Sequence, residues 1–310
     1  MLVNGQWAKD FHPVQATDEE GGFVRQGSVF RDWISVDGSS GFKAEPGRYH
    51  LYVGLICPWA SRTLMARTLK GLESVISVSV VNPRLGKKVW RFGGFPGATD
   101  DTVNGVEYVY QLYQKANPQY TGQITIPVLW DTHRETIVNN ESADIVRMLN
   151  RGFGALADDR FDLYPQALAA DIDAVNERLY EPFNNGVYRA GFATTQSAYD
   201  AAVSDVFTSL DYIEDRLASS DYLVGDQLTE SDIRAFVTLV RFDAAYYSLF
   251  KTNLRPLRDY PQTCAYMQRI YDLPGIAETV SIDHIKAGYY SIEALNPTGI
   301  VPVGPAGLFA

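Results

Sequence analysis

The sequence predicts an α/β domain followed by an all-α domain, and three observations carry that expectation. From Arg48 the pattern runs strand, helix, strand: "RYHLYVG" alternates, Ala60, Leu64, Met65, Leu69 and Leu72 recur at helical spacing, and "SVISVSVV" is a buried apolar run. This is the unit that builds a parallel sheet. Two further short apolar runs, "ITIPVLWD" and "ETIVNN", lie on either side of "THR" and precede the helical segment "ESADIVRMLN". Beyond about residue 160 the periodicity is helical throughout. At 310 residues the chain exceeds what one core usually organises, and its 46% hydrophobic content can fill two.

In chain order, residues 1–44 are rich in Gly, Asp and Ser, with isolated aromatics such as Trp7, Phe30 and Trp33. They show no periodicity and read as an extended arm laid on the surface. The α/β domain is expected over residues 45–155 and the helical domain, with a C-terminal tail, over residues 160–310. Residues 82–123 form a long irregular insertion, a length that in a compact domain marks a functional or disordered loop. Pro127 opens its strand rather than crossing it, because proline has no N–H to give to a ladder. Ile145, Met148 and Leu149 share one face of the helix that follows. The later helices are expected near 165–185, 195–219, 229–250 and 260–273. "LTESDI" reads as a capping box, with Thr229 as N-cap, Asp232 reaching back from N3, and Leu228 and Ile233 placed as a hydrophobic staple.

Twenty-seven basic against 37 acidic residues leave a net charge of -10, which repels phosphate backbones and anionic lipid surfaces. Neither nucleic acid nor a membrane is an expected partner. The opening "MLVNGQWAKD" lacks a basic segment followed by an apolar run, and no apolar stretch approaches the roughly 18 residues of a membrane helix, so a cytoplasmic protein is expected. Two cysteines, Cys57 and Cys264, cannot build a disulfide framework, and the four histidines have no metal-ligand spacing with them. No metal is expected.

Cys57 stands in "VGLICPWASRTL" at a strand-to-helix junction. Pro58 occupies the first helical position, where a missing N–H costs nothing, and the exposed N–H groups and dipole of the helix end favour an anion. A thiol there should titrate low, and the thiolate is the form that attacks sulfur or carbon electrophiles. The sequence is C-P-W-A rather than C-x-x-C, so an external thiol must resolve any adduct. Taken alone, a cysteine at a helix start is more often a half-buried small residue than a nucleophile. Its context changes that reading: a strand, Cys-Pro at a helix start, a strand opening with proline, then "NES" at a second helix start resembles the ordered set of thioredoxin-like glutathione-binding domains. Glu141 and Ser142 stand at that second helix start, either as a cap or as partners for the ammonium and carboxylate of a γ-glutamyl group. Ile126 would offer backbone N–H and C=O groups to the tripeptide's cysteine if Pro127 is cis. Cys264, within "YPQTCAYMQRIY", has no such setting and is read as core.

The residues now carry a resemblance to a family. "GRYHLYVGLICPWASRTL", "KANPQYTGQITIPVLWD", "IVNNESADIVRMLN", "NNGVYRAGFATTQ", "RDYPQTCAYMQRIYDLPGIAETV", "DHIKAGYY" and "NPTGIVPVGP" run in family order, and from about residue 25 to residue 305 the chain resembles the glutathionyl-hydroquinone reductases, the Xi class of glutathione transferases. The resemblance implies an α/β thioredoxin-like N-terminal domain, an all-α glutathione-transferase C-terminal domain, and a homodimer paired through the helical domains. It implies reduction of glutathionyl-hydroquinones with glutathione as co-substrate. Cys57 matches the nucleophile, Trp90, Ile126, Glu141 and Ser142 match glutathione contacts, and Tyr188 and Tyr289 resemble the tyrosines of the aromatic substrate site, with Tyr290 an alternative to Tyr289. In that chemistry Cys57 takes the glutathionyl group as a mixed disulfide, tyrosine hydroxyls serve the phenolic oxygen, and free glutathione regenerates the thiol.

Three residues depart from the family pattern. Ser61 replaces a histidine one turn into the helix and alters the thiol's surroundings; Gln123 stands where many members have arginine, weakening an anion contact; Gly288 replaces a histidine and leaves the neighbouring tyrosine less constrained. Two other functions use the same residues differently. An omega-like thiol transferase or dehydroascorbate reductase would use Cys57 without the tyrosines, and a non-catalytic scaffold of this fold would need no Cys-Pro pair at a helix start.

Overall fold

The computed structural model describes residues 1–8 and 17–307; part of the expected arm, residues 9–16, lies outside them. Leu2–Val3 (β1) and Gln6–Trp7 (β2) form a small antiparallel pair, and Ile34–Ser35 (β3) pairs in parallel with Phe42–Lys43 (β4). Leu2, Ile34 and Phe42 are buried, so the expected surface arm is stitched into a core at these residues, while Val29, Trp33 and Val36 stay exposed.

The chain then builds the expected α/β layer. Tyr49–Val53 (β5) leads through Cys57 into Pro58–Leu69 (α1), and Ile76–Val80 (β6) returns parallel to β5. The long insertion contains a short helix, Tyr110–Ala116 (α2). Val128–Asp131 (β7) follows Pro127 and runs antiparallel to β5, and Thr136–Asn139 (β8) closes a sheet of order β6-β5-β7-β8 before Ser142–Arg151 (α3). All five residues of β5 are buried, as expected of a strand with neighbours on both sides and helices to cover it.

One buried polar residue in that strand predicts a pH dependence. His50 is 1% exposed, with its ring nitrogens 2.6 Å from Ser77 Oγ and 2.9 Å from Ser79 Oγ on β6. Burial, more than the neighbouring charges, lowers its pKa to about 4. Below the ordinary value near 6.5 the unfolded chain takes up a proton that the folded chain refuses. Stability is therefore intact above pH 6.5 and declines as pH falls toward 4, by about 3 kcal/mol from this residue. Urea unfolding across that range should show the decline, and a His50→Gln variant should be flatter; equal slopes would refute the assignment.

Beyond β8 and α3 the secondary structure is helical. Ala169–Leu179 (α4) continues through a π-helical turn, Tyr180–Asn184, into Gly186–Gly191 (α5); Gln196–Leu217 (α6) is the longest helix. Glu230–Arg241 (α7) passes through a second π-helical turn, Phe242–Tyr246, to Tyr247–Leu249 (α8), and Pro261–Tyr271 (α9) follows. Asp232 Oδ2 accepts the Thr229 N–H at 2.7 Å, which is the reach-back half of the expected capping box. Ile282–Tyr289 (α10) is a helix that periodicity did not single out.

Two compact units result, and their limits differ from 45–155 and 160–310 because the N-terminal arm is shared between them and residues 279–291 join the first. The first unit contains the described residues 1–8, Gln26–Phe161 and Thr279–Ser291, so α10 belongs with the sheet; the second contains Asp162–Glu278, the C-terminal segment and the described residues 17–25. The reason for the α10 assignment is local. His284 and Ser291, on and just after that helix, bond to backbone of the insertion between β6 and α2.

Candidate active site

The first unit brings the Cys57 turn and the start of β7 together. Cys57 is the N-cap of α1, in extended conformation at φ -81° and ψ 117°, with its N–H donating to Gly54 O at 2.9 Å. Pro58 fills the first helical position and the Ser61 N–H closes the first turn on Cys57 O at 3.0 Å. Gly54 permits a close approach from the other side: a Cβ there would lie 2.7 Å from Ile126 Cδ1 and 2.9 Å from Val81 Cγ2. With no side chain in the way, the Cys57 thiol reaches Ile126 O at 3.6 Å. The Ile126–Pro127 peptide is cis. Ser61, the first of the three departures, is buried on α1 one turn beyond the thiol.

Trp90 is half-buried on the insertion and its Nε1–H donates to Ile124 O at 3.1 Å, so it stands beside the segment that carries Ile126. Gln123, the second departure, uses its own carbonyl to accept from Tyr120 OH at 2.9 Å.

Glu141 is the N-cap of α3: its Oε1 accepts the Ala143 N–H at 3.2 Å and the Ser142 hydroxyl at 3.5 Å. Its other oxygen accepts from the Ser28 hydroxyl at 3.0 Å, and Ser28 also donates to Asn140 O at 3.2 Å. The cap role of "ES" is thus present in the structure. Asn140 ties this corner to the previous one, donating to Tyr113 OH at 3.0 Å and Thr125 Oγ1 at 3.2 Å, while the buried Tyr113 donates to Thr125 O at 2.8 Å. Thr125 and Asn140 directly precede Ile126 and Glu141, so this Tyr113 bridge fixes the spacing of two expected glutathione contacts. Sequence reading missed Ser28, Tyr113, Thr125 and Asn140, which sit in segments without periodicity and meet only through the fold.

The end of α10 closes on the Cys57 turn. A Cβ on Gly288 would lie 2.3 Å from Ile56 Cδ1 and 2.7 Å from the Pro83 carbonyl oxygen. Contact with a backbone oxygen cannot be relieved by a rotamer change, so Gly288 is required here by proximity. This corrects the expectation that a glycine loosens the neighbouring tyrosine: Tyr289 and Tyr290 are both buried. His284 holds Pro96 O at 2.7 Å, which makes Nε2 its donor nitrogen, and Ser291 Oγ accepts the Leu85 N–H at 2.9 Å. The loop that carries Trp90 is therefore fastened on both sides of it, to α10 and to Ser291 just beyond that helix.

Tyr188 lies in the second unit, on α5. Its ring packs with Phe192 at 6.2 Å, Tyr246 at 5.9 Å and Phe250 at 5.5 Å between centroids. Cys264 is half-buried there, with its thiol donating to Leu257 O at 3.0 Å, and burial raises its pKa, which disfavours a thiolate. Both cysteines are free. Among the described residues no group of three or more His, Cys, Asp or Glu side chains could hold a metal ion, and no helix is long and apolar enough to cross a membrane.

A cysteine at a helix start beside a strand opened by proline, followed in the chain by an all-helical segment, defines a glutathione transferase. A family model described as "Glutathione S-transferase, N-terminal domain" matches residues 56–151, and one described as "Glutathione S-transferase, C-terminal domain" matches residues 196–269. The curated Glutathionyl-hydroquinone reductase YqjG of Escherichia coli is 50% identical over 98% of this chain and 95% of its own. Among solved structures, glutathione-S-transferase Xi from Phanerochaete chrysosporium matches with a TM-score of 0.92 at 49% identity, covering 95% of this chain and 96% of that one. The glutathione-bound structure of Escherichia coli YqjG matches at 0.90 and 48%, covering 98% and 95%. The chain belongs to the glutathionyl-hydroquinone reductases, the Xi class of glutathione transferases.

Proposed function

We propose that this chain reduces glutathionyl-hydroquinones to hydroquinones, with glutathione as co-substrate. The observation that supports this most is the Cys57 thiol at the N-terminus of α1 and next to the Ile126 backbone, in a chain half-identical to a curated enzyme of that activity. The Cys57 thiolate attacks the glutathionyl sulfur of the conjugate, forming an S–S bond as the aryl C–S bond breaks. The electron pair leaves with the ring carbon, which takes up a proton. A tyrosine hydroxyl, from Tyr188 or from Tyr289 or Tyr290, donates to the phenolic oxygen while the ring is ketone-like. A glutathione thiolate then attacks the mixed disulfide, releasing glutathione disulfide and the Cys57 thiolate.

In this reading Trp90, Ile126, Glu141 and Ser142 hold the glutathionyl group. The backbone of Ile126 pairs with its cysteine, and the α3 N-terminus with Glu141 receives the γ-glutamyl end. Pairing as a homodimer through the helical unit and a cytoplasmic location belong to the same proposal.

The test supplies a glutathionyl-hydroquinone and, separately, a small glutathione mixed disulfide, each with excess glutathione, and follows the released hydroquinone or thiol by chromatography. Hydroquinone release is the expected result. Turnover of the mixed disulfide alone would replace the proposal with an omega-like thiol transferase, and silence on both would leave a scaffold.

A further inference from the structure

Residues 17–25 pass over α5 and the start of α6, within the second unit. Thr17 bridges to Phe23, and the turn between them is closed by the Asp18 N–H on Gly22 O at 2.9 Å. The turn is pinned to the helices: the Thr194 N–H donates to Gly21 O at 3.0 Å and the Thr195 hydroxyl to Glu20 O at 2.8 Å. Gly21 has φ +84°, and a Cβ on it would lie 2.6 Å from Thr194 Oγ1, so a side chain is excluded both by conformation and by space. This anchoring sets down two side chains on Tyr188. The Phe23 ring stacks on it at 6.5 Å between centroids, and the Arg25 guanidinium carbon lies 5.0 Å from its ring centre. Arg25 is aimed by a bond from Nε to Asn185 Oδ1 at 2.9 Å, and Asn185 is aimed in turn by donating to Glu181 Oε2 at 3.0 Å.

We propose that Arg25 is a positioning residue for Tyr188, holding the phenol ring in the orientation in which its hydroxyl serves the quinol. The inference rests on the reading above that Tyr188 acts on the aromatic half of the substrate. A guanidinium over a phenol face is attracted by the ring's quadrupole, and with Asn185 fixing the guanidinium plane the ring cannot swing without losing that contact. Phe192, Tyr246 and Phe250 pack on the same ring as uncharged aromatic neighbours. Arg25 thereby gives part of the N-terminal arm a role in the reaction of a helix more than 160 positions away.

The test compares wild type, Arg25→Met, Arg25→Lys, Tyr188→Phe and the double variant Arg25→Met/Tyr188→Phe. Each is assayed for kcat and KM on a glutathionyl-hydroquinone and on a small glutathione mixed disulfide, which needs Cys57 but no tyrosine. Arg25→Met should lower kcat on the quinol conjugate about tenfold and leave mixed-disulfide turnover within about twofold, the scale of one lost cation–π contact. Arg25→Lys should recover part of the loss, because an ammonium keeps the charge but not the planar contact or the directed bond to Asn185. In the Tyr188→Phe background, where no hydroxyl remains to be oriented, Arg25→Met should cost little more. Equal losses on both substrates would mark a structural role only and overturn the proposal. So would an undamaged Arg25→Met enzyme beside an impaired Tyr188→Phe enzyme. An undamaged Tyr188→Phe enzyme would instead remove the reading beneath the proposal, and the proposal with it.

Discussion

Cys57→Ser should abolish hydroquinone release, by about a thousandfold or more, the scale on which loss of a covalent nucleophile acts. The substitution is a clean probe because of where the residue sits. Cys57 is the N-cap of α1 and makes no side-chain capping bond, whereas serine is among the favoured N-cap residues. The variant should therefore be at least as stable as wild type, by up to about 1 kcal/mol, and a loss of activity cannot be assigned to unfolding. A serine hydroxyl is a far weaker nucleophile than a cysteine at neutral pH, so the substitution removes the chemistry and keeps the shape. Wild type given conjugate but no free glutathione should release one equivalent of hydroquinone and retain one glutathionyl group, seen by mass spectrometry on a Cys57 peptide. A stoichiometric burst from Cys57→Ser, or a glutathionyl group on Cys264, would sink the assignment.

Asp232→Ala should cost the helical unit about 4 kcal/mol or more, enough to leave little folded protein, given that whole domains are stable by roughly 5–15 kcal/mol. Asp232 is fully buried and its carboxylate accepts four hydrogen bonds: from the Leu223 N–H at 2.8 Å, the Thr229 N–H at 2.7 Å, the Thr229 hydroxyl at 3.1 Å and the Tyr266 hydroxyl at 2.9 Å. Alanine leaves these donors in a dry site, and an unsatisfied buried donor costs about 1–3 kcal/mol. Asp232→Asn keeps the volume and one acceptor oxygen but turns an amide toward the Thr229 N–H, so about half the loss should remain. Urea unfolding followed by helical circular dichroism measures both. An alanine variant within about 1 kcal/mol of wild type would show that the four bonds are not worth what their burial implies.

The strand–helix–strand unit, Pro127 at the head of β7 and the Thr229–Asp232 box were legible because each is encoded within a dozen residues. The position of Cys57 before Pro58 was legible for the same reason: capping chemistry is local. What sequence reading missed was carried by long-range contacts. Ser28 meets Glu141 across 113 positions, and the Tyr113 bridge joins residues from three segments, none of them periodic. Gly288 is the sharpest case. Compared with a family pattern it looked like a lost side chain, yet Ile56 and Pro83 leave no space for one. Only the three-dimensional neighbours separate a deletion from a fit. The arm misled for a related reason, since a two-residue strand such as β1 has no period to detect.

The first unit is assembled from distant parts of the chain: the N-terminal stretch and Gln26–Phe161 are joined by Thr279–Ser291 across 117 residues of helical sequence. A ribosome makes a protein from its N-terminus at about 5–20 residues per second, so α10 emerges several seconds or more after the sheet. During that interval the sheet exists without the helix that covers Ile56 and fastens the Trp90 loop. A nascent chain thus passes through a stage in which Ile56, on the Cys57 turn, lacks the α10 residue that packs against it. The surroundings of the Cys57 turn are completed only by a segment that lies beyond 117 intervening residues.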